Sequence, residues 1–426
     1  MKFNKTPIGT IPENWKISKV SDIAKTITDY VANGSFASLS ENVTYKEKED
    51  VAVLIRLVDY NNNFNGNFVF IDEHAYEFLK KSKLFGGEII ISNVGANVGT
   101  VFKCPKLKYK MSLAPNSIMV KFKGCDEFYY QWLKGHNGQQ MLKSIVTGSA
   151  QPKFNKTNFK EMLVPVPPLE TQKKIASILS ALDDKIELNN KINENLEMQA
   201  QAIFKSWFVD FEPFGGVMPE DMREIPLNEL CEIVTKGTTP TTIGKHFSNK
   251  GINFLKAESI LQNHSFDRNK FAHIDNDTHT VLKRSIIKEG DIVFTIAGTL
   301  GRFALVDNTI IPANTNQAVA IIRANNNVVS SEYLYSFFIG NWHNEYYTKR
   351  VQQAVQANLS LTTIKSLPIF VLSNEDMMRY NGLVTPIFKA MKANEYENFR
   401  LSALRDTLLP KLMNGEIDVD DVQVKE

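Results

Sequence analysis

The chain has 426 residues, 43% of them hydrophobic and 23% charged, a composition that suits a soluble globular protein of two or three domains. No apolar run approaches the roughly 20 residues of a membrane span, the polar start MKFNKTPIGT has no secretory apolar core, and Cys104, Cys125 and Cys231 share no short metal-binding spacing. Membrane, disulfide and zinc-framework classes are thereby disfavoured, and a cytoplasmic protein with reduced thiols is expected.

In chain order, the first 165 residues read as a mixed α/β globule. Short apolar or alternating runs, VAVLIRLV, GEIIISNV and NSIMVKF, predict strands, and DEFYYQWLKGH predicts a short helix whose aromatics face the core. The net charge of +2 conceals a basic block over 101–165, eleven lysines against three acidic residues, enough to neutralise several phosphates of a duplex.

Pro165, Pro167 and Pro168 then forbid helix, and a long helix is predicted from just beyond them. Ile175, Leu179, Leu182, Ile186, Asn189, Asn193, Leu196, Ala200 and Ile203 follow the 4-3 spacing of a coiled-coil seam. The aromatic linker SWFVDFEPFGGVMPEDM, with Pro213, Gly215 and Gly216, ends that helix.

The second half of the chain repeats the first. IPENWKISKVSDIAKTIT is echoed by MPEDMREIPLNELCEIVT, LKKSKLFGGEIIISNVGANVGTVF by LKRSIIKEGDIVFTIAGTLGRF, LAPNSIMVKF by ANTNQAVAII, and GSAQPKFNKTNFKEMLVPVPP by QAVQANLSLTTIKSLPIFVLS, at a spacing of about 205 residues. INFLKA, GDIVFTIAG and AVAIIRA are the second set of strands, and SEYLYSFFIGNWH the second short helix. HIDNDTH alternates His273, Asp275, Asp277 and His279, but reads as a solvated polar connection between strands rather than a metal site. A second seam runs Tyr380, Val384, Ile387, Met391, Asn394, Asn398, Leu401, Arg405 and Leu408, with Pro386 expected to kink the helix or confine its regular part to the residues beyond the proline.

The two asparagines fall at the same phase in both seams. Asn189, Asn193, Asn394 and Asn398 are therefore read as a polar layer that fixes register, since a slipped pairing would bury an amide against hydrocarbon. The asparagines alone suit parallel or antiparallel pairing; the whole domain between the helices favours antiparallel, with the four amides satisfying one another.

The succession VPVPPLETQKKIASILSALDDKIELNNKIN, AIFKSWFVDFEP and LRDTLLPKLMNGEI resembles the specificity subunit of Type I restriction-modification systems, over nearly the whole chain. The resemblance implies an α+β fold with a pseudo-twofold internal repeat: two similar mixed α/β target recognition domains joined by two long helices in an antiparallel coiled coil. The expected division is 1–165 first target recognition domain, 166–206 first spacer helix, 207–217 linker, 218–374 second target recognition domain, 375–412 second spacer helix and 413–426 tail. It implies a non-catalytic subunit that binds double-stranded DNA, an asymmetric bipartite target, and docks two methyltransferase subunits and restriction subunits. No cofactor is expected on this chain; S-adenosylmethionine would sit on the methyltransferase subunits, and ATP and Mg on the restriction subunits. A helix of roughly 35 residues, about 50 Å long, could hold the two domains one duplex turn apart.

Glycine loops after strands let the backbone approach a phosphate, so Asn97 and Gly99 in GANVGT, and Thr299, Gly301 and Arg302 in GTLGR, are candidate DNA contacts. Lys103, Lys106, Lys108, Lys110 and Lys153 lie in the basic block, and Lys349 and Arg350 form a cationic pair. Asn116, Gln151, Gln317, Gln356 and Arg302 carry side chains able to bond a base edge in bidentate fashion. Lys236, Thr238 and Thr239 belong to KGTTPT, part of the resemblance. The competing classes are a DNA methyltransferase or nuclease with an unrecognised motif, and a two-domain protein-binding adaptor. No cofactor loop, amino-methylation motif, phosphate-binding loop or HExxH supports the former.

Overall fold

The computed structural model describes residues 2–342 and 359–419. It divides into two units, Met1–Ile186 with Arg400–Glu426, and Glu187–Phe399.

The first unit contains β1 (Ala24–Asp29), β2 (Ala52–Ile55), β3 (Val69–Ile71), β4 (Lys83–Leu84), β5 (Ile89–Ser92), β6 (Val101–Lys103), β7 (Lys110–Leu113), β8 (Ser117–Phe122) and helix α1 (Asp126–Lys134). These strands form two four-stranded sheets, β1-β8-β5-β6, antiparallel throughout, and β3-β2-β7-β4, in which β2 and β7 run parallel. The period of two along each strand decides the layers. Ile89, Ile91, Ile118 and Val120 face α1, where Phe128, Tyr129 and Trp132 are buried, while Ile90, Phe102 and Met119 face the second sheet through Val53, Ile55 and Leu113. With both faces covered, the run Ile89–Ile91 needs no polar alternation. Truncating a side chain so enclosed, Trp132→Ala for example, costs about 3–5 kcal/mol.

The long helix α2 (Leu169–Phe208) begins after Pro167 and Pro168, and Gln172 anchors its first turn by donating to the Pro167 carbonyl at 2.9 Å and accepting from the Cys125 N–H at 3.1 Å. Its early seam residues Ile175 and Leu179 join the core of the first unit, together with Leu412 and Met413.

The second unit repeats the arrangement with β9 (Cys231–Lys236), β10 (Ile252–Leu255), β11 (Ala272–Ile274), β12 (Ile286–Ile287), β13 (Ile292–Thr295), β14 (Phe303–Leu305), β15 (Ala313–Thr315), β16 (Val319–Ala324) and helix α3 (Ser331–Ile339). Its sheets are β9-β16-β13-β14 and β11-β10-β15-β12, with β10 and β15 parallel. Even the irregularities recur: a register shift stands beside Lys121 on β8 and beside Arg323, its counterpart on β16. Each of these cations pairs with a buried carboxylate at the start of the neighbouring strand, Lys121 with Glu88 at 2.9 Å and Arg323 with Asp291 at 2.7 Å. The matched strands place Lys121 opposite Arg323, so the sequence match of LAPNSIMVKF to ANTNQAVAII is two residues out of register with the structure.

Helix α4 (Asn374–Met413) differs from expectation at Pro386. It neither begins there nor breaks there. Gly382, whose carbonyl loses its partner, and Pro386 both lie on the exposed face, where the unpaired carbonyl is open to solvent. HIDNDTH is likewise no connection between strands: it closes β11, and Asp275 then caps Asn276–Val281 by accepting the Thr278 N–H at 2.7 Å, as Asp72 caps Glu73–Phe78 through the Ala75 N–H at 2.9 Å.

Candidate nucleic-acid interface

In the first unit, several candidate residues converge at one end of the sheets. Gly95 donates to the Pro152 carbonyl, Phe154 N–H donates to the Asn93 carbonyl at 3.0 Å, and Val94 bridges to Lys153. The Asn93 N–H in turn bonds the Asn116 carbonyl at 3.0 Å. The exposed side chains of Asn97, Asn116, Gln151 and Lys153 therefore belong to one neighbourhood. Asn116 adopts φ 66°, a left-handed conformation that asparagine tolerates, and its side-chain amide bonds no described residue. GANVGT is the hairpin loop from β5 to β6, closed by the Gly99 N–H on the Ser92 carbonyl at 2.8 Å; Gly99 has φ 91°, which explains the residue type.

Four candidate lysines of the basic block, Lys103, Lys106, Lys108 and Lys110, lie elsewhere. Lys103 stands opposite Ile89, at the far end of β5 from the hairpin, and Lys110 begins the strand whose other end leads to Asn116. Three of the four are already paired: Lys103 with Glu127 and over the Tyr130 ring, Lys108 with Glu49 at 3.5 Å, and Lys110 with Glu73 at 2.8 Å. The hydrogen bond to Glu73 raises the Lys110 pKa. Lys106 is exposed.

Two adjoining concavities open beside Asn116. One, of about 440 Å³, is lined by Tyr30, Val31, Phe36, Leu39 and Asn93; the other, of about 370 Å³, by Arg56, Leu57 and Val58, and both share Tyr45, Val94, Pro115, Asn116 and Ser117. Arg56 is held by Asp59 at 2.6 and 3.0 Å and by the Asn67 carbonyl at 2.9 Å, which fixes the plane of its guanidinium. Phe36, Tyr45 and Arg56 escaped the sequence reading. Arg56 follows strand β2 as Lys256 follows β10, a repeat signal hidden in segments read only as strand tails.

In the second unit, the corresponding junction between β15 and β16 gathers Thr238, whose N–H donates to the Thr315 carbonyl, Thr239, whose hydroxyl bonds Gln317, and Arg284, which donates to the Thr238 hydroxyl at 3.2 Å. Lys236, at the end of β9, is exposed beside them. GTLGR is again a hairpin, with Gly301 at φ 81°, and its polar side chains are engaged: Thr299 donates to the Ala257 carbonyl at 3.1 Å and Arg302 to the Ile260 carbonyl at 3.2 Å. Lys349, Arg350 and Gln356 lie outside the described residues.

The asparagines meet within the second unit. Asn189 donates to Asn398 at 2.9 Å and to Glu397 at 2.8 Å, Asn398 donates to Asn190 at 2.9 Å, and Asn394 donates to Asn193 at 2.8 Å. Residue numbers that rise on α2 while they fall on α4 make this pairing antiparallel. The layer is wider than four amides, drawing in Asn190, Glu397 and the Met391 carbonyl, which accepts from Asn193 at 3.2 Å.

The family model of the Type I restriction modification DNA specificity domain matches residues 12–198 and 219–371. The chain belongs to the family of type I restriction-modification specificity subunits. The specificity subunit of the type I restriction enzyme MjaIX of Methanocaldococcus jannaschii is 26% identical over 99% of this chain and 98% of its own length. That of HindI of Haemophilus influenzae is 26% identical over 72% of this chain and 80% of its own. The crystal structure of the type I S subunit from M. genitalium shares the fold, with a TM-score of 0.55 at 17% identity, covering 96% of this chain and 98% of the other. As a specificity subunit, the chain is a non-catalytic DNA-recognition component, and the doubled fold is the framework on which recognition residues are carried.

Proposed function

We propose that this specificity subunit reads an asymmetric bipartite sequence in double-stranded DNA, one half with each unit, and docks methyltransferase subunits and restriction subunits that perform the chemistry. The observation that carries the reading is the duplicated pair of sheets, alike in strand order, register and buried ion pairs, yet different in the side chains at the matching strand ends. One framework with two surfaces suits two unlike half-sites. S-adenosylmethionine, and ATP with Mg, then belong to the partner subunits, where a base is taken out of the stack for methylation. A cytoplasmic location goes with a DNA-bound role, and no helix among the described residues is long and apolar enough to cross a membrane.

The contacts proposed for the first half-site are Asn97, Gly99, Asn116, Gln151 and Lys153, with Arg56 added as a guanidinium suited to a guanine edge. Of the lysines between 103 and 110, Lys106 alone has no carboxylate partner among the described residues; Lys103, Lys108 and Lys110 exchange or share theirs if they also bind. For the second half-site they are Lys236, Thr238, Thr239 and Gln317, with Thr299, Gly301 and Arg302 on the hairpin beside them, and Lys349, Arg350 and Gln356. Asn189, Asn193, Asn394 and Asn398 act as the register layer of the helices.

The test is to co-express the chain with its methyltransferase subunit and map methylated adenines. A split motif with two constant halves is expected; methylation that persists without this chain, or an unsplit motif, would refute the proposal.

A further inference from the structure

The larger concavity of the first unit combines features that its neighbours lack. Its floor and wall are apolar, from Val31, Leu39 and Val43, and Phe36 stands at its rim with 83% of its surface exposed. An aromatic ring so exposed loses the roughly 2–3 kcal/mol that burial of such a side chain contributes, and Ser35 and Leu39 already supply the cap and the core contact of the helix Phe36–Asn42. Phe36 is therefore not needed by the fold. Beside it, Asn116 presents an amide with no bonded neighbour, and the buried Oδ1 of Asn93 is an acceptor with no partner.

In the major groove the one apolar group on a base edge is the C5-methyl of thymine, and the adenine across the same pair offers the N6 donor and N7 acceptor that a carboxamide matches. An apolar shelf next to a free carboxamide is complementary to both edges of one A·T pair. Resting on the DNA-recognition reading above, we infer that this concavity reads an A·T pair in the half-site of the first unit, with Phe36 contacting the thymine methyl and Asn116 bonding the adenine. Phe36 is thus a specificity-determining residue.

The experiment uses the chain assembled with its methyltransferase subunits. Methylation mapping of the wild type first defines the split motif; failure to find one overturns the underlying reading, not this inference. F36A and N116G, the latter keeping the positive backbone angle available, are then mapped and their binding measured. Both are expected to relax the same single A·T position in one half of the motif, leaving the other half and the spacer unchanged. Replacing that thymine by deoxyuridine is expected to weaken wild-type binding about tenfold and F36A binding hardly at all. An unchanged motif in both variants, relaxation at different positions, or equal sensitivity of wild type and F36A to deoxyuridine overturns the inference. A melting temperature equal to wild type for F36A shows that the effect is not unfolding.

Discussion

The two units share a skeleton and differ at its tips. Asp29 and Lys236 occupy the same place, at the end of the first strand of the first sheet, opposite Ile118 and Ala320 respectively. In the first unit the carboxylate is neutralised by Lys156 at 2.9 Å and looks onto an apolar shelf; in the second an exposed lysine adjoins threonines, a glutamine and Arg284. Strand register, register shift and buried ion pair are held in common because each is enclosed by packing. The strand ends are free to diverge because little packs on them, which is how one fold carries two specificities.

The largest effect that would sharpen this comparison lies in the shared skeleton. Arg323 grips Asp291 with two hydrogen bonds of 2.7 Å and is 14% exposed, whereas Lys121 reaches Glu88 with one contact and is 37% exposed, and Glu88 also accepts from the Phe85 and Gly86 N–H groups. Arg323→Met leaves buried Asp291 with the Lys288 N–H at 2.8 Å, one backbone donor where Glu88 has two, and should cost about 3–5 kcal/mol in urea unfolding. Lys121→Met should cost clearly less. Equal losses would mean that the two pairs are energetically alike after all.

Buried carboxylates on the long helices give the units opposite pH responses. In the first, burial disfavours ionised Asp183, but hydrogen bonds from Arg405 at 2.8 Å and Gln131 at 2.8 Å outweigh it and hold the carboxyl below the usual range. Its contribution is present above the ordinary carboxylate pKa and is lost as pH falls through the lowered value. In the second, burial pushes Glu197 up to about 7, helped by Glu194, and Glu395 up to about 7, helped by Asp307, with Lys392 and Arg268 opposing only at Glu395. His264 stands 3.7 Å from Glu197 and is itself depressed by burial, so it offers no firm positive charge. The folded second unit thus holds protons that the unfolded chain has released, and its stability falls as pH rises from the ordinary carboxylate range to about 7. Glu197→Gln with Glu395→Gln should stabilise this unit at pH 8 by on the order of 1–3 kcal/mol per carboxyl and do almost nothing near pH 4. Hydrogen exchange resolved by unit reads this directly; a gain independent of pH would rule out titration as the cause.

A smaller effect concerns the asparagine layer. Asn398→Leu alone removes one of the two partners of buried Asn189 and the donor to Asn190, and should lower the melting temperature, while Asn189→Leu with Asn398→Leu removes both amides and should restore or raise it. If the double variant is the less stable of the two, the amides contribute net stability beyond register. The smallest effect is electrostatic. Lys236→Gln should reduce the salt slope of DNA binding by about 0.9, the loss of one phosphate contact, and Lys110→Gln by less, because Glu73 already occupies its ammonium. A larger change at Lys110 would show that DNA displaces the ion pair.

Much of this was legible in the residues. The repeat, the strands and both seams are periodic, and every predicted seam position is buried or half-buried in its unit. The proline at 386 does not confine the regular helix to the residues beyond it, because its effect depends on which face of the helix it occupies, something the residue type does not state. The basic block shows a similar limit: the run of lysines is local, but Glu49, Glu73 and Glu127 that pair with three of them come from other elements. The groove was hidden altogether, since Phe36, Arg56, Asn93 and Asn116 come from four segments joined by a parallel pairing of β2 with β7.

By itself, then, the sequence determined the duplication, the periodicity of strands and helices and the phase of the asparagines, because these derive from residue spacing along one chain. The tertiary structure decided which cations are already neutralised, which carboxyls keep their protons, and which four segments enclose the groove. Those depend on neighbours distant in sequence, and only the order of strands in a sheet brings them within bonding distance.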